Sequence, residues 1–363
     1  MSVSYGGDSI TFADGSISSS GWNGMRNRII NGDMKIAQRG TAAVTSSSGA
    51  QYPVDRFFVI KDTATTAVMT AQQDSSAPAG FVNSVKLTTT TAQAVLAATD
   101  YHRYAQQIEG LNVADLGWGT ANAKSVTLSF WVRSSLTGTF GGSLGNSAWN
   151  RTHPFTYTIS VADTWEYKTV TIPGDTSGTW LSTNGIGLRV DFGLGVGTTY
   201  SGTAGAWAGA LYISATGATN VSGTLNATWF ITGVQLERGS TASSFEYRSY
   251  GSELALCQRY FWKTFAAATA PAQNVSASNV IFVGGVNGNV NTKVGTYPCP
   301  VQMRADPTVV TFNPYAANAS WRVPATSTDI VPTITATQQA IQFSLPLTTE
   351  SCAHGQITAS AEL

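Results

Sequence analysis

The sequence predicts an all-β protein: an antiparallel β-sandwich followed by a smaller C-terminal β-domain. Three observations predict it. Apolar and polar residues alternate in several separated runs, as in strands with one buried face. Turn-forming residues cluster between those runs at residues 136–145, 174–178 and 193–209. Helical patterning is almost absent.

Residues 1–24 are rich in Gly and Ser, with one short strand-like piece at 9–13. Such a segment cannot bury a core alone: it is expected either to form a flexible tail or to order against a partner or a second copy. From residue 25 to about 250 the pattern is strand after strand. Residues 125–132 place Val126, Leu128, Phe130 and Val132 on one face. Residues 155–161 do the same with Phe155, Tyr157, Ile159 and Val161, and residues 186–194 with Ile186, Leu188, Val190, Phe192 and Leu194. A further run sets Phe230, Thr232, Val234 and Leu236 against Ile231, Gly233, Gln235 and Glu237. Many half-buried strands at this spacing read as an antiparallel sandwich over 25–250. Residues 251–258 read as a short helical connector whose apolar positions are Leu254, Leu256 and Cys257. Residues 259–363 return to strands, expected at 259–265, 280–286, 300–303, 308–312, 341–345 and 355–361. Eight prolines punctuate this part and keep its strands short. No repeat of 20–50 residues recurs, so a solenoid is excluded.

At 363 residues the chain exceeds one average domain. Charged residues make up 11%, under half the usual share, and the formal net charge is zero. The surface must therefore be covered by neutral polar groups. That composition excludes phosphate-backbone binding, which needs clustered Lys and Arg, so no nucleic acid partner is expected. Three scattered cysteines, Cys257, Cys299 and Cys352, make no disulfide framework and no zinc spacing. Free thiols fit synthesis in a reducing cytoplasm. The first residues have neither a basic start nor an apolar core, so no signal peptide is read there. No apolar run reaches the length of a membrane span, so no membrane insertion is expected.

Motifs for catalysis are weak. GGSLG (141–145) fits a nucleophile pattern around Ser143, but it reads as a loop and lacks the strand–turn–helix context. GLGVG (193–197) also reads as a loop, without the last spacing of a dinucleotide fingerprint. Carboxylates such as Asp175, Asp191, Glu237 and Glu246 show no spacing that singles out a glycosidase pair. For Glu237 the residues favour an ion pair or a bond to a loop backbone. No cofactor and no metal is required, and no enzyme is expected.

Five separated strings occur in order: NRIINGDMKIAQRG (27–40), YPVDRFF (52–58), QQIEGLNVADLGWGTANAKSVTLSFWVRSS (106–135), TWEYKTVTIPGDTSGTW (164–180) and FITGVQLERGSTASSFEYRSYGSELALCQRYF (230–261). Together they resemble a jelly-roll domain of tail fibres and related appendage proteins of tailed bacteriophages, over residues 25–262. The resemblance implies the jelly-roll topology, where alternation alone leaves an immunoglobulin-like sandwich open. It also implies a virion appendage protein, a tail fibre or receptor-binding subunit, made in the bacterial host cytoplasm. Its N-terminal segment would attach to other virion proteins and its ligand would be a host surface polysaccharide. The alternatives are a head fibre or decoration protein, and an appendage enzyme that degrades glycan. Low charge, the unsupported N-terminal strand and the resemblance point to a homotrimer.

Glycan binding turns attention to aromatic side chains, because sugars offer C–H faces that flat rings stack on. Ten tryptophans are present. Phe130, Tyr157, Phe192 and Phe230 sit among Val and Leu and are expected in the core. Trp131 and Trp229 are expected on the faces opposite the core runs, with Arg133 two places beyond Trp131. Trp149, Trp180, Tyr200 and Trp207 fall in Gly-rich loops. Trp131, Arg133, Trp149, Trp180, Tyr200, Trp207 and Trp229 are the candidate glycan contacts.

Overall fold

The structure is a computed structural model that describes residues 4–6, 9–11, 17–18, 25–267, 269–275, 278–284, 292–347 and 352–363. The expected attachment segment, 1–24, lies outside the described residues except for the backbone of three short antiparallel strands. These are β1 (Ser4–Gly6), β2 (Ser9–Thr11) and β3 (Ile17–Ser18). The chain divides into two compact units. The larger comprises Met1–Lys35, Ala42–Pro53 and Phe57–Arg248.

The strands of this part are β4 (Val44–Thr45), β5 (Gln51–Val54), β6 (Phe57–Lys61), β7 (Val68–Asp74), β8 (Ser84–Thr91), β9 (Tyr101–Glu109), β10 (Val126–Ser134), β11 (Gly138–Gly145), β12 (Thr152–Ile159), β13 (Glu166–Ile172), β14 (Ile186–Val196), β15 (Ser201–Gly202), β16 (Ser214–Ala215) and β17 (Thr228–Arg238). Two six-stranded sheets form, ordered β13-β10-β17-β8-β7-β4 and β12-β11-β14-β9-β6-β5. The chain passes back and forth between them. Two antiparallel sheets joined by repeated crossings give the sandwich its jelly-roll character.

The core lies where the two inner faces meet. Phe130 of the first sheet meets Tyr157 and Phe192 of the second edge-on, at 5.0 and 5.1 Å between ring centroids. Val126, Leu128, Val132, Leu188, Val190 and Leu194 are fully buried around them. The alternation read over 125–132 therefore holds, and that over 186–194 holds from Leu188 to Phe192, bulges interrupting β14 between Ile186 and Leu188 and between Gly193 and Gly195. Val161 lies past the end of β12 and is exposed.

The run on β17 needs correction. Ser129 pairs with Gln235, but Trp131 pairs with Thr232, so two residues of β17 face one of β10. This is a β-bulge, and Gly233 sits in it at φ +62°, a left-handed conformation that favours glycine. The bulge shifts the alternation by one residue. Trp229, Ile231, Val234 and Leu236 face the core, while Phe230, Thr232, Gln235 and Glu237 face outward. Trp229 is thus a core residue at 0% exposure, its indole N–H donating to the Tyr157 hydroxyl at 3.2 Å. Phe230 is buried on the opposite face, under the Arg133 guanidinium at 4.0 Å.

Two further corrections concern glycines. GGSLG lies within strand β11, and most of GLGVG lies within β14. The glycines admit close packing rather than loops. A Cβ on Gly141 would lie 2.4 Å from Ser214 Oγ, and one on Gly193 would lie 2.6 Å from the Ser214 side chain.

One buried titratable group makes this unit sensitive to acid. His102 is fully buried, with Nε2 3.1 Å from Ser46 Oγ. Burial, helped by Lys61 and opposed by Asp100, lowers its pKa from 6.5 to about 4. The unfolded chain takes a proton below 6.5 that the folded chain refuses until about 4, so stability falls as pH falls through that window. The loss from this group reaches about 3 kcal/mol at the acid end. His102→Gln should show a flatter stability profile than the wild type between these pH values, measured by denaturant unfolding; parallel profiles would contradict the assignment.

The second unit comprises Ile36–Thr41, Val54–Arg56 and Ser249–Leu363. It contains α1 (Tyr250–Gln258), whose N-cap Ser249 accepts from the Ser252 amide at 3.2 Å. Cys257 of α1 is buried, whereas Leu254 and Leu256 are only half-buried. Its strands are β18 (Phe261–Lys263), β19 (Ile281–Val283), β20 (Lys293–Pro298), β21 (Thr308–Phe312), β22 (Trp321–Val323), β23 (Thr328–Ile330), β24 (Thr333–Ala336), β25 (Ala340–Leu345) and β26 (Ala353–Ser360). β26 pairs with β18, β19, β21 and β22, while β20, β25 and β24 form a separate sheet. Trp262, Trp321, Met303, Phe343 and Ile357 centre the core. The strand expected at 300–303 does not form. Pro298 and Pro300 lack amide donors, and the Cys299 and Met303 amides donate to the carbonyls of Gln339 and Gln338. Residues 285–286 of another expected strand lie outside the described residues.

Candidate functional site

The outer face of the first sheet holds a groove of about 460 Å³. Register places Tyr167 of β13 directly opposite Trp131 of β10, and the two rings lie 5.4 Å apart. Phe81 enters from the β7–β8 connection, and Phe245 and Tyr247 from the segment after β17. These three form a cluster with centroids 5.0–5.6 Å apart. Tyr247 is 59% exposed and Tyr167 43%. Ser129, Ser243 and Ser244 supply hydroxyls. Among the described residues lining the groove, none is charged.

The sequence builds this groove through the bulge. Gly233 lies in the groove lining, and a Cβ there would come 2.7 Å from Phe81 Cζ and 3.1 Å from Trp131 Cδ1. Only glycine meets both the φ angle and the ring contacts. The bulge also turns Gln235 and Glu237 outward, where they hold the segment carrying Phe245 and Tyr247. Glu237 accepts from the Ser243 amide at 2.8 Å and from its hydroxyl at 2.6 Å. Gln235 Oε1 accepts from the Glu246 amide at 2.8 Å. Glu237 thus bonds to a loop, as the residues favoured. Phe81 is positioned by the Tyr247 hydroxyl donating to the Gly80 carbonyl at 3.1 Å and by Thr232 donating to the Asn83 carbonyl at 2.7 Å.

Trp131 alone of the seven candidates lines this groove. Arg133 shares its outward face but lies over Phe230 and donates to Ser76 Oγ at 3.1 Å, fixing the loop that leads to Phe81. Trp180 and Trp207 pack with Trp118 into a triad with centroids 4.7–5.4 Å apart. All three indole N–H groups donate to backbone carbonyls, those of Lys124, Ser177 and Pro173. The triad fastens loops together. Trp229 is withdrawn by its burial in the core. Trp149 and Tyr200 lie apart, on the second sheet's side: Trp149 in the β11–β12 turn, and Tyr200 edge-on to Tyr101 at 5.6 Å.

Among the described residues, no grouping of three or more His, Cys, Asp or Glu side chains could hold a metal ion. No described helix is long and apolar enough to cross a membrane.

No family model matches the chain, and no curated protein matches it. Among solved structures it is similar to the enzymatically active domain of tailspike protein 4 of bacteriophage CBA120, at 10% identity and a TM-score of 0.31. The match covers 59% of this chain and 22% of that one, so the chain spans less than a quarter of the tailspike's length. It is similar to a putative sugar-binding protein from Bacteroides thetaiotaomicron at 9% identity, covering 59% of this chain and 100% of that one, with a TM-score of 0.33. A family 11 carbohydrate-binding module of a Clostridium thermocellum cellulase overlaps at 12% identity, 53% and 97% coverage and a TM-score of 0.27. These overlaps are loose, and the strand order describes the fold without them.

Proposed function

We propose that this chain is a non-catalytic, glycan-binding appendage protein of a tailed bacteriophage, a tail fibre or receptor-binding subunit. The observation that carries the binding reading is the open groove of Trp131, Tyr167, Phe81, Phe245 and Tyr247, free of charged lining residues among those described. Aromatic rings with neighbouring hydroxyls suit neutral saccharide units, which present C–H faces and hydroxyls without net charge. Catalysis of glycoside cleavage would need a pair of carboxylates beside the bound sugar, and the groove lining supplies neither. The appendage reading draws on the five ordered strings that resemble phage tail-fibre domains. A homotrimer on a particle bearing many copies would raise effective concentration and turn weak single sites into stable attachment.

The test is binding of purified protein to arrayed neutral oligosaccharides from bacterial surface polysaccharides. Trp131→Ala and Tyr247→Ala should each weaken the bound partner about tenfold or more, about 1.4 kcal/mol. Affinity should change little between low and high salt. Full binding by both variants, or no binding of any arrayed glycan by the wild type, would count against the groove.

A further inference from the structure

The larger unit holds a second cavity, of about 200 Å³, that shares no lining residue with the groove. We propose that it binds a single 6-deoxyhexose unit, a branch or chain end of the glycan, with the sugar's methyl group inward. The proposal rests on the glycan-binding reading above, but on other residues.

The cavity lies between the connection from β9 to β10 and the connection from β13 to β14. The first connection carries two 3₁₀ turns, Gly110–Asn112 and Ala114–Leu116. Backbone bonds fasten it to the second. The Gly110 amide donates to the Gly185 carbonyl and the Leu111 amide to the Thr183 carbonyl, both at 2.9 Å. The Gly119 amide donates to the Asp175 carbonyl at 2.7 Å, and the Asp175 carboxylate accepts two bonds of 2.7 Å from Arg151. Gly119 has φ +83°, and a Cβ there would meet the Gly178 carbonyl oxygen at 2.6 Å, so glycine lets the two connections close. The cavity is thus preformed, and a ligand need not order its walls.

The lining is apolar within and polar at its mouth. Val113, Leu116 and Leu188 make a buried floor. Trp118 and Trp180 make a wall, their ring centroids 4.7 Å apart at 80°. Both indole N–H groups already donate to backbone carbonyls, those of Lys124 and Ser177, at 2.6 and 3.1 Å. Thr120 and Ser182 are exposed and bring hydroxyls to the mouth, and the Thr120 hydroxyl donates to the Gly117 carbonyl at 2.6 Å. Among the described residues lining the cavity, none is charged.

These features select a ligand. Without charge in the lining, a neutral group enters at the least desolvation cost. A hydroxyl pressed onto the floor would leave water and find only hydrocarbon, whereas a methyl group there gains from burial. An acetamido group would bring a carbonyl and an N–H that the floor cannot pair. A 6-deoxyhexose carries a methyl group where a hexose carries its primary alcohol. Its C–H edges suit the indole wall, and its ring hydroxyls would stay at the mouth beside Ser182. The volume, under half that of the groove, suits one sugar ring rather than a run of them.

The test titrates the ¹⁵N-labelled full chain with methyl α-L-fucopyranoside and methyl α-L-rhamnopyranoside. The controls are methyl α-L-galactopyranoside and methyl α-L-mannopyranoside, which restore the hydroxyl at C6. At least one deoxy sugar should shift the indole N–H signals of Trp118 and Trp180, with a Kd about tenfold or more below that of its hydroxylated counterpart. Ala114→Leu fills the mouth from an exposed position, so it should abolish those shifts while leaving the other indole signals in place. Trp131→Ala should keep them. The proposal is overturned if neither deoxy sugar shifts the two signals, if the hydroxylated counterparts bind as tightly, or if Ala114→Leu binds undiminished. A shift at Trp131 in their place would also overturn it, by moving the sugar to the groove. The comparison at C6 uses the wild type alone, so it stands even if the variant fails to fold. Since the groove is tested with other probes and other variants, the two sites can fail independently.

Discussion

Replacing Phe130 by alanine is expected to destabilise the larger unit by about 3–5 kcal/mol. Phe130 is fully buried at the meeting of the two inner faces, edge-on to Tyr157 and Phe192. Truncation removes a ring from both contacts and leaves a void that the two sheets cannot close without bending. The chain has two compact units, so a single melting curve would mix them. Hydrogen exchange at the amides of β10 and β14 reports the affected unit directly. Tyr247→Ala, which trims an exposed ring, should change those rates little. Equal effects for the two variants would mean that the core has been misplaced.

Glu362→Ala should destabilise the second unit by about 3–5 kcal/mol. Glu362 bridges Arg56 and Arg39, the latter at 3.1 Å. Those guanidiniums lie over the rings of Tyr260 at 3.5 Å and Phe261 at 3.6 Å. Asp55, fully buried, lies 3.8 Å from Arg39 and accepts from the Gln38 amide at 3.0 Å. Without Glu362 the buried Arg56 and the half-buried Arg39 lose a carboxylate they share, and burial already raises the Asp55 pKa to about 6. The loss should appear as faster exchange at the amides of β26, and Glu362→Gln should fall between wild type and alanine. A change below about 1 kcal/mol would show the cluster to be solvated and weak.

Both clusters illustrate what a sequence can carry. Alternation over β10 and β14 was legible because those strands keep one face against the core along most of their length. It misled at β17, where a bulge at Gly233 shifted the period and exchanged the faces of Trp229 and Phe230. Isolated glycine in a strand is a signal for such a bulge, but alternation cannot say that the next residue changes face. The glycines of β11 and β14 look like loop residues in the sequence because their role depends on Ser214, more than twenty residues further along the chain. Trp131 could be placed on an outward face from its own run. Tyr167 could not be joined to it without the β10–β13 register, nor could Phe81, Phe245 and Tyr247, which reach the groove from distant connections.

Occupancy of the first sheet's groove by a neutral saccharide, as proposed, can be followed by titrating ¹⁵N-labelled protein with a neutral oligosaccharide selected on the glycan array and watching the ten tryptophan indole N–H signals. The Trp131 signal should shift progressively with ligand, while Trp229, sealed in the core, stays fixed. A saturating titration that leaves Trp131 unmoved would place the saccharide outside this groove.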